Sequence, residues 1–285
     1  MPKNVFSLPM QTKELKALIA LLDDEDAEIS RHIESKILSL GEVVVPFLEQ
    51  EWQNSLNPVL QNKLEHLIHT LQFQILKQRL EEWKLQEGKD LLRGMWLIAT
   101  YQYPEVTYED LKEKIDQLYY NVWIHLRDNI NPYDQVRIIN YVLFDEEKFT
   151  ANTKNFHSPA NNMLNAVFET KRGNPISLCV IYILLAEKLK LPIYGVNLPN
   201  LFILIYDLPQ KPFYINAFNR GLIFTKSDID NYISQLGLQQ QESFYKPCSY
   251  TEIIKRILRN LTVAYEQLGE QQKMAEIIEL LEILH

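Results

Sequence analysis

Eight glycines, two cysteines and six histidines in 285 residues leave several kinds of chemistry short of material. Neither common glycine-rich phosphate loop occurs, which removes the usual nucleotide-binding signatures. Cys179 and Cys248 are too few for a disulfide framework. No run is rich in Lys and Arg and the formal charge is −8, so a nucleic-acid binder is not expected. No apolar stretch approaches the roughly 20 residues that cross a bilayer. The opening MPKNVFSLPM lacks the apolar run of a secretory leader. Free thiols without a leader lead to the expectation of a cytoplasmic protein, with no cofactor and no membrane association.

What is present is apolar side chain, 46% of the residues, enough for a large core and two or three subdomains. The stretch that organises the chain is KRGNPISLCVIYILLAEKLKLP, residues 171–192. From Ile176 to Ala186 only Ser177 interrupts the apolar run, and a helix apolar on nearly every face is buried on nearly every face. Asn174 reads as its N-cap and Pro175 as its first residue. Gly173 is expected to permit a sharp turn just before it. The free N–H groups of the first turn should form a small positive site, with Ser177 beside it.

Ahead of this helix the chain reads as helical. Leu15, Leu18, Ile19 and Leu22 recur at helical spacing, as do Ile29, Ile33 and Ile37. With the acidic turn DDEDAE and Gly41 between them and the next helix, residues 18–52 resemble one HEAT-type helical repeat. A further helix after Pro58 carries His66 and His69, three apart beside Glu65. One face could hold a metal, but no third ligand stands near, and the histidines read as flanks of a buried face set by Leu67 and Ile68. Trp96, Tyr101, Tyr103, Tyr119, Tyr120 and Trp123 could form an aromatic binding patch; mixed with Leu and Ile at helical spacing, they read as core.

After the central helix the pattern changes. IYGVNL, LFILIYDL, FYINAF and LIFT are β-branched and aromatic segments separated by turn residues, an antiparallel sheet against the helix. From Lys226 the chain returns to helix, and its last 37 residues or so resemble a tetratricopeptide-like hairpin. The expected fold is α+β and predominantly helical, in three parts: residues 1–90, 91–226 and 227–285.

The run NNMLNAVFETKRGNPISLCVIYILLAEKLKLPIYGVNLPNLFILIY, followed by FYINAFNRG, resembles the transglutaminase-like superfamily in its bacterial SirB-type branch. The resemblance implies a papain-like core. There a Cys at the start of the central helix is the nucleophile, a His on a following strand its base, and an Asp or Asn on the next strand the group that orients the His. At the matching positions this chain carries Ser177 (or Pro175, if the alignment slips by two), Leu201 and Asn216. Asn is a working member of such a triad, but leucine cannot accept a proton, and serine without a base is a poor nucleophile. Displaced residues offer a rival: His157 beside Ser177 or Cys179, or Lys171 as base for Ser177. Against it, Cys179 points roughly 160–200° away from Ser177 on a helix, and a buried free Cys is usually a small hydrophobe.

The expectation is therefore a non-catalytic protein that binds a protein or peptide, possessing a polar cleft formed by Arg172, Asn174, Ser177, Asn197, Asn200, Asn216 and Asn219. The bland alternative is a closed network of asparagines that only ties the strands together. Oligomeric state is left open.

Overall fold

A computed structural model describes residues 12–22, 26–127 and 129–285. The acidic turn DDEDAE lies partly outside the described residues. The chain divides into two compact units between Arg79 and Leu80.

The first unit is helical. Helices α1 (Thr12–Leu22), α2 (Ala27–Leu38) and α3 (Val45–Asn54) precede the long α4 (Pro58–Leu85), whose residues from Leu80 onward belong to the second unit. Its core gathers Leu15, Ile19, Leu22, Ile33, Ile37, Val44, Leu48, Leu64, Leu67 and Leu71, the residues at helical spacing in the sequence. His69 stacks on Phe73, with ring centroids 6.4 Å apart, and His66 is exposed. Among the described residues no three His, Cys, Asp or Glu side chains gather as a metal site.

The second unit holds helices α5 (Leu91–Thr100), α6 (Tyr108–Trp123) and α7 (Pro132–Asn140), a short strand β1 (Thr150–Ala151), helix α8 (Leu164–Thr170) and strand β2 (Arg172–Gly173). The central helix α9 (Pro175–Leu189) leads into strands β3 (Ile193–Leu198), β4 (Leu201–Tyr206), β5 (Phe213–Asn216) and β6 (Leu222–Phe224). Helices α10 (Lys226–Gln235), α11 (Tyr250–Leu268) and α12 (Gln271–Ile283) follow. The protein is thus predominantly helical with a small antiparallel sheet in the order β3-β4-β5-β6; β1 and β2 form a separate parallel pair. Among the described residues no helix is long and apolar enough to cross a membrane.

Every residue of α9 from Ile176 to Ala186 is buried. The helix packs on β3 and β4 and against α6, which explains why no face of it is polar. The sheet also has two covered faces, and strand alternation assigns side chains to them. Val196, Leu198, Ile203, Ile205 and Tyr214 pack against Ile229 and Ile233 of α10 and against Phe244. Phe202 and Leu204 alternate with these and belong to the α9 face.

One expectation fails here. Tyr120 and Trp123 are 58% and 56% exposed and not core. On α6 the buried row is Leu111, Ile115, Leu118 and Val122, and Tyr120 stands about 200° from its neighbours in that row. Trp96, Tyr101, Tyr103 and Tyr119 are half-buried.

Candidate functional site

The start of α9 is built by its own sequence. Asn174 caps the helix: its Oδ1 accepts the N–H of Ser177 at 3.0 Å, and Ser177 Oγ accepts the N–H of Asn174 at 3.0 Å. This reciprocal box satisfies two otherwise orphan donors. Pro175 at the first helical position has no N–H to satisfy. Leu178 N–H donates to Asn174 O at 3.2 Å. Among the described residues, Ile176 alone in this turn keeps an N–H without an acceptor. The expected row of free donors is thus reduced to one. Gly173 also differs from expectation. The left-handed residue before the helix is Lys171, at φ 56°, and Gly173 is needed for space, since a Cβ there would lie 2.5 Å from Ser177 Oγ and 3.1 Å from Leu178.

A cluster of asparagines ties the preceding segment to this turn. Asn162 Oδ1 accepts from Asn174 Nδ2 at 2.8 Å and from Asn260 Nδ2 at 3.4 Å. Asn161 Nδ2 donates to the carbonyls of Asn155 and Phe156, and its Oδ1 accepts from Asn152. Asn161, Asn162 and Asn174 are all at least 95% buried, so their mutual bonding removes a desolvation penalty of about 1–3 kcal/mol for each unsatisfied group.

Between this turn, the β3–β4 hairpin and α11 lies a cleft of about 260 Å³. Its polar walls are His157, Asn162, Asn174, Asn200, Arg256 and Asn260. Phe156, Pro175, Ile176, Phe202 and Val263 supply the apolar surface. The lining contains no Ser, Thr, Cys, Asp, Glu or Lys. Asn200 occupies the two-residue turn between β3 and β4 at φ 58°, a left-handed conformation that asparagine tolerates better than most residues. Arg256 Nη1 donates to Asn197 Oδ1 at 2.9 Å and to Leu198 O at 3.3 Å. Burial, with the nearby charge of Arg259, holds its pKa below the usual arginine range.

The structure brings together only part of the cleft expected from sequence. Asn174 and Asn200 line it, and Asn197 stands at its margin as the acceptor for Arg256. Ser177 is fully buried inside the capping box and does not line the cleft. Arg172 is exposed in β2, paired with Thr150. Asn219 is exposed, its N–H donating to Asn216 Oδ1 at 3.1 Å. Leu201 and Asn216 line a different cavity of about 280 Å³ on the α10 face, with Leu198, Ile229 and Tyr232. The three positions matched to the triad are therefore divided between the two faces of the sheet.

Cys179 is fully buried, and its thiol donates weakly to Phe202 O at 3.6 Å. Burial pushes that thiol far above the ordinary range, and pushes Cys248 up to about 12. Of the polar lining, the sequence singles out His157 near the helix start but not Arg256, Asn260 or Asn162. Arg256 and Asn260 stand four apart, on one face of α11. That spacing was a usable signal, though nothing local says which groove the pair meets.

The sequence pattern of the transglutaminase-like superfamily matches residues 109–259. A UPF0162 protein of Xylella fastidiosa (strain 9a5c) is 28% identical over 199 residues, 66% of this chain and 69% of that protein. A second, from strain Temecula1, is 28% identical over 63% of this chain and 66% of its own length. F-box only protein 21 of Mus musculus is 27% identical over 50% of this chain, a match confined to 23% of that protein. No solved structure matches the chain.

Proposed function

The chain belongs to the transglutaminase-like superfamily, and on that premise we propose that it is a non-catalytic member of the SirB-type branch that holds a peptide or protein segment in the cleft at the start of α9. The observation that carries this reading is the composition of the cleft. It presents an imidazole, His157, and a wall of amides, but no hydroxyl, thiol or carboxylate able to act as nucleophile. Ser177 Oγ is engaged by the Asn174 N–H, and Cys179 lies in the core. A surviving acyl transfer at Ser177 or Cys179 with His157 would need one of these buried atoms to reach the cleft, and no observation favours it. The helical flanks, residues 1–90 and 227–285, are read as repeat-like partner surfaces of a cytoplasmic regulatory or scaffolding protein.

The test is a panel of synthetic peptides presented to the purified full chain, beside a variant with the cleft blocked. Val263 lines the cleft from an exposed position on α11, so Val263→Trp should fill it without disturbing the core. Peptide binding that Val263→Trp abolishes, with no cleavage or transfer product, is the expected result. Turnover of any peptide that disappears with His157→Ala would overturn the reading.

A further inference from the structure

Arg256 is the one charged residue lining the cleft apart from the titratable His157. Among the described residues no carboxylate pairs with it: its hydrogen-bond partners are the neutral oxygens of Asn197 and Leu198. A half-buried guanidinium ordinarily meets an anion, because removing a charge from water without compensation is unfavourable. Here one edge of the fork is held by the β3–β4 hairpin, which fixes the plane of the group, while Nη2 and Nε make no bond to the described residues. The cleft lining supplies no acid to meet them.

We infer that the cleft recognises a carboxylate carried beside peptide amides, with Arg256 as its anchor. This rests on the binding role proposed above and names the chemistry of what is bound. The planar fork of arginine suits a carboxylate, which it can meet with two parallel hydrogen bonds. A phosphate is ordinarily met by a cluster of arginines, and here a single guanidinium faces the cleft. Asn200 and Asn260 add side-chain amides that can donate to and accept from peptide groups. The N–H of Ile176, which has no acceptor among the described residues, is a further donor. Phe156, Phe202 and Val263 offer apolar surface to an adjoining side chain. A volume of about 260 Å³ lies just under the usual range of about 300–1,000 Å³ for ligand clefts. It suits the end or a short bend of a peptide and excludes a folded element. The carboxylate could be a chain terminus or the side chain of Asp or Glu.

Three pools of N-acetylated tetrapeptides separate these sources: one with a free C-terminal carboxylate and no acidic side chain, one amidated and without acidic residues, and one amidated with a single Glu. Binding to the wild-type full chain is measured by calorimetry. Preference for the first pool over the second assigns the chain terminus, and preference for the third over the second assigns the side chain; either supports the inference. Arg256→Gln should then weaken binding roughly 10–100-fold, the range for a charge-assisted hydrogen bond, and Arg256→Lys should recover only part of it. If Arg256→Gln fails to fold, the comparison of pools on wild type still decides. Equal binding of all three pools, abolished by Val263→Trp, would overturn the carboxylate inference and leave the binding cleft standing. No binding by any pool would overturn both.

Discussion

Asn174 and Ser177 cap one another, each side-chain oxygen accepting the other's backbone N–H at 3.0 Å. The Ser177 hydroxyl also donates to Asn174 O at 3.2 Å, so the donor and acceptor roles of the group are both taken up within the first turn. A residue that the family resemblance places at the nucleophile position is here part of the helix end. Its hydroxyl is engaged within the first turn of the helix and does not line the cleft.

Ser177→Ala should therefore act on stability and not on binding. It removes the acceptor for a buried backbone N–H, at a cost of about 1–3 kcal/mol. Denaturant unfolding should show the midpoint falling with an unchanged slope. An unchanged midpoint, or lost peptide binding at full stability, would show that the hydroxyl serves the cleft.

Gly173 offers a sharper test of the same geometry. A methyl group there would lie 2.5 Å from Ser177 Oγ. Gly173→Ala should be strongly destabilising, and combining it with Ser177→Ala should be less harmful than the sum of the two. Coupling of about 0.5–3 kcal/mol is the range for residues in contact. Strict additivity in a double-mutant cycle would contradict the close approach.

Much of this was legible beforehand because it is local. Asn174, Pro175 and the apolar run to Ala186 announce a capped, buried helix within thirteen residues. The four strands announce themselves by β-branched segments broken at Pro199-Asn200 and Pro209–Pro212. The cleft was legible only on one side. Arg256 meets Asn197 across 59 residues, and Asn260 meets Asn162 across 98. Such pairings are set by tertiary packing, and neither side chain carries a local mark of its partner. Gly173 was misread for a related reason: the sequence shows a glycine before a helix, but whether it serves a left-handed turn or a close contact depends on where Ser177 Oγ lies. Tyr120 and Trp123 were assigned to the core by company, although their angular position on α6 already set them apart from the buried row.

The thiols give a prediction with a definite sign. A thiolate is the species that alkylates, and burial raises both thiol pKa values, Cys248 to about 12. At pH 8 the folded protein should react slowly with iodoacetamide at both cysteines, and Cys179, wholly buried, more slowly than the half-buried Cys248. Rates should rise as pH increases towards 12 and should jump on denaturation. Mass spectrometry of the alkylated peptides distinguishes the two sites. Rapid labelling of Cys179 in the native state would revive the rival reading of a displaced nucleophile.

The last prediction concerns whether the triad implied by the family resemblance can be built at these positions. Restoring residue types alone would suggest Ser177→Cys with Leu201→His, since Asn216 already suits the orienting role. The structure argues that this fails. Leu201 packs with the cluster on the α10 face of the sheet and shares its cavity with Asn216, while Ser177 is enclosed in the first turn of α9 on the other side. Phe202, the residue next along β4, is the one that faces the helix start. An imidazole at position 201 would thus lie beside Asn216 and apart from position 177. A catalytic pair needs hydrogen-bond reach, about 2.6–3.2 Å between heavy atoms. The double variant should therefore retain an inert thiol, with alkylation at pH 6–7 no faster than in Ser177→Cys alone. Faster alkylation at pH 6–7, specific to the double variant, would show that the base and nucleophile positions do meet. It would then locate the divergence of this chain from the catalytic pattern in its residues and not in its backbone.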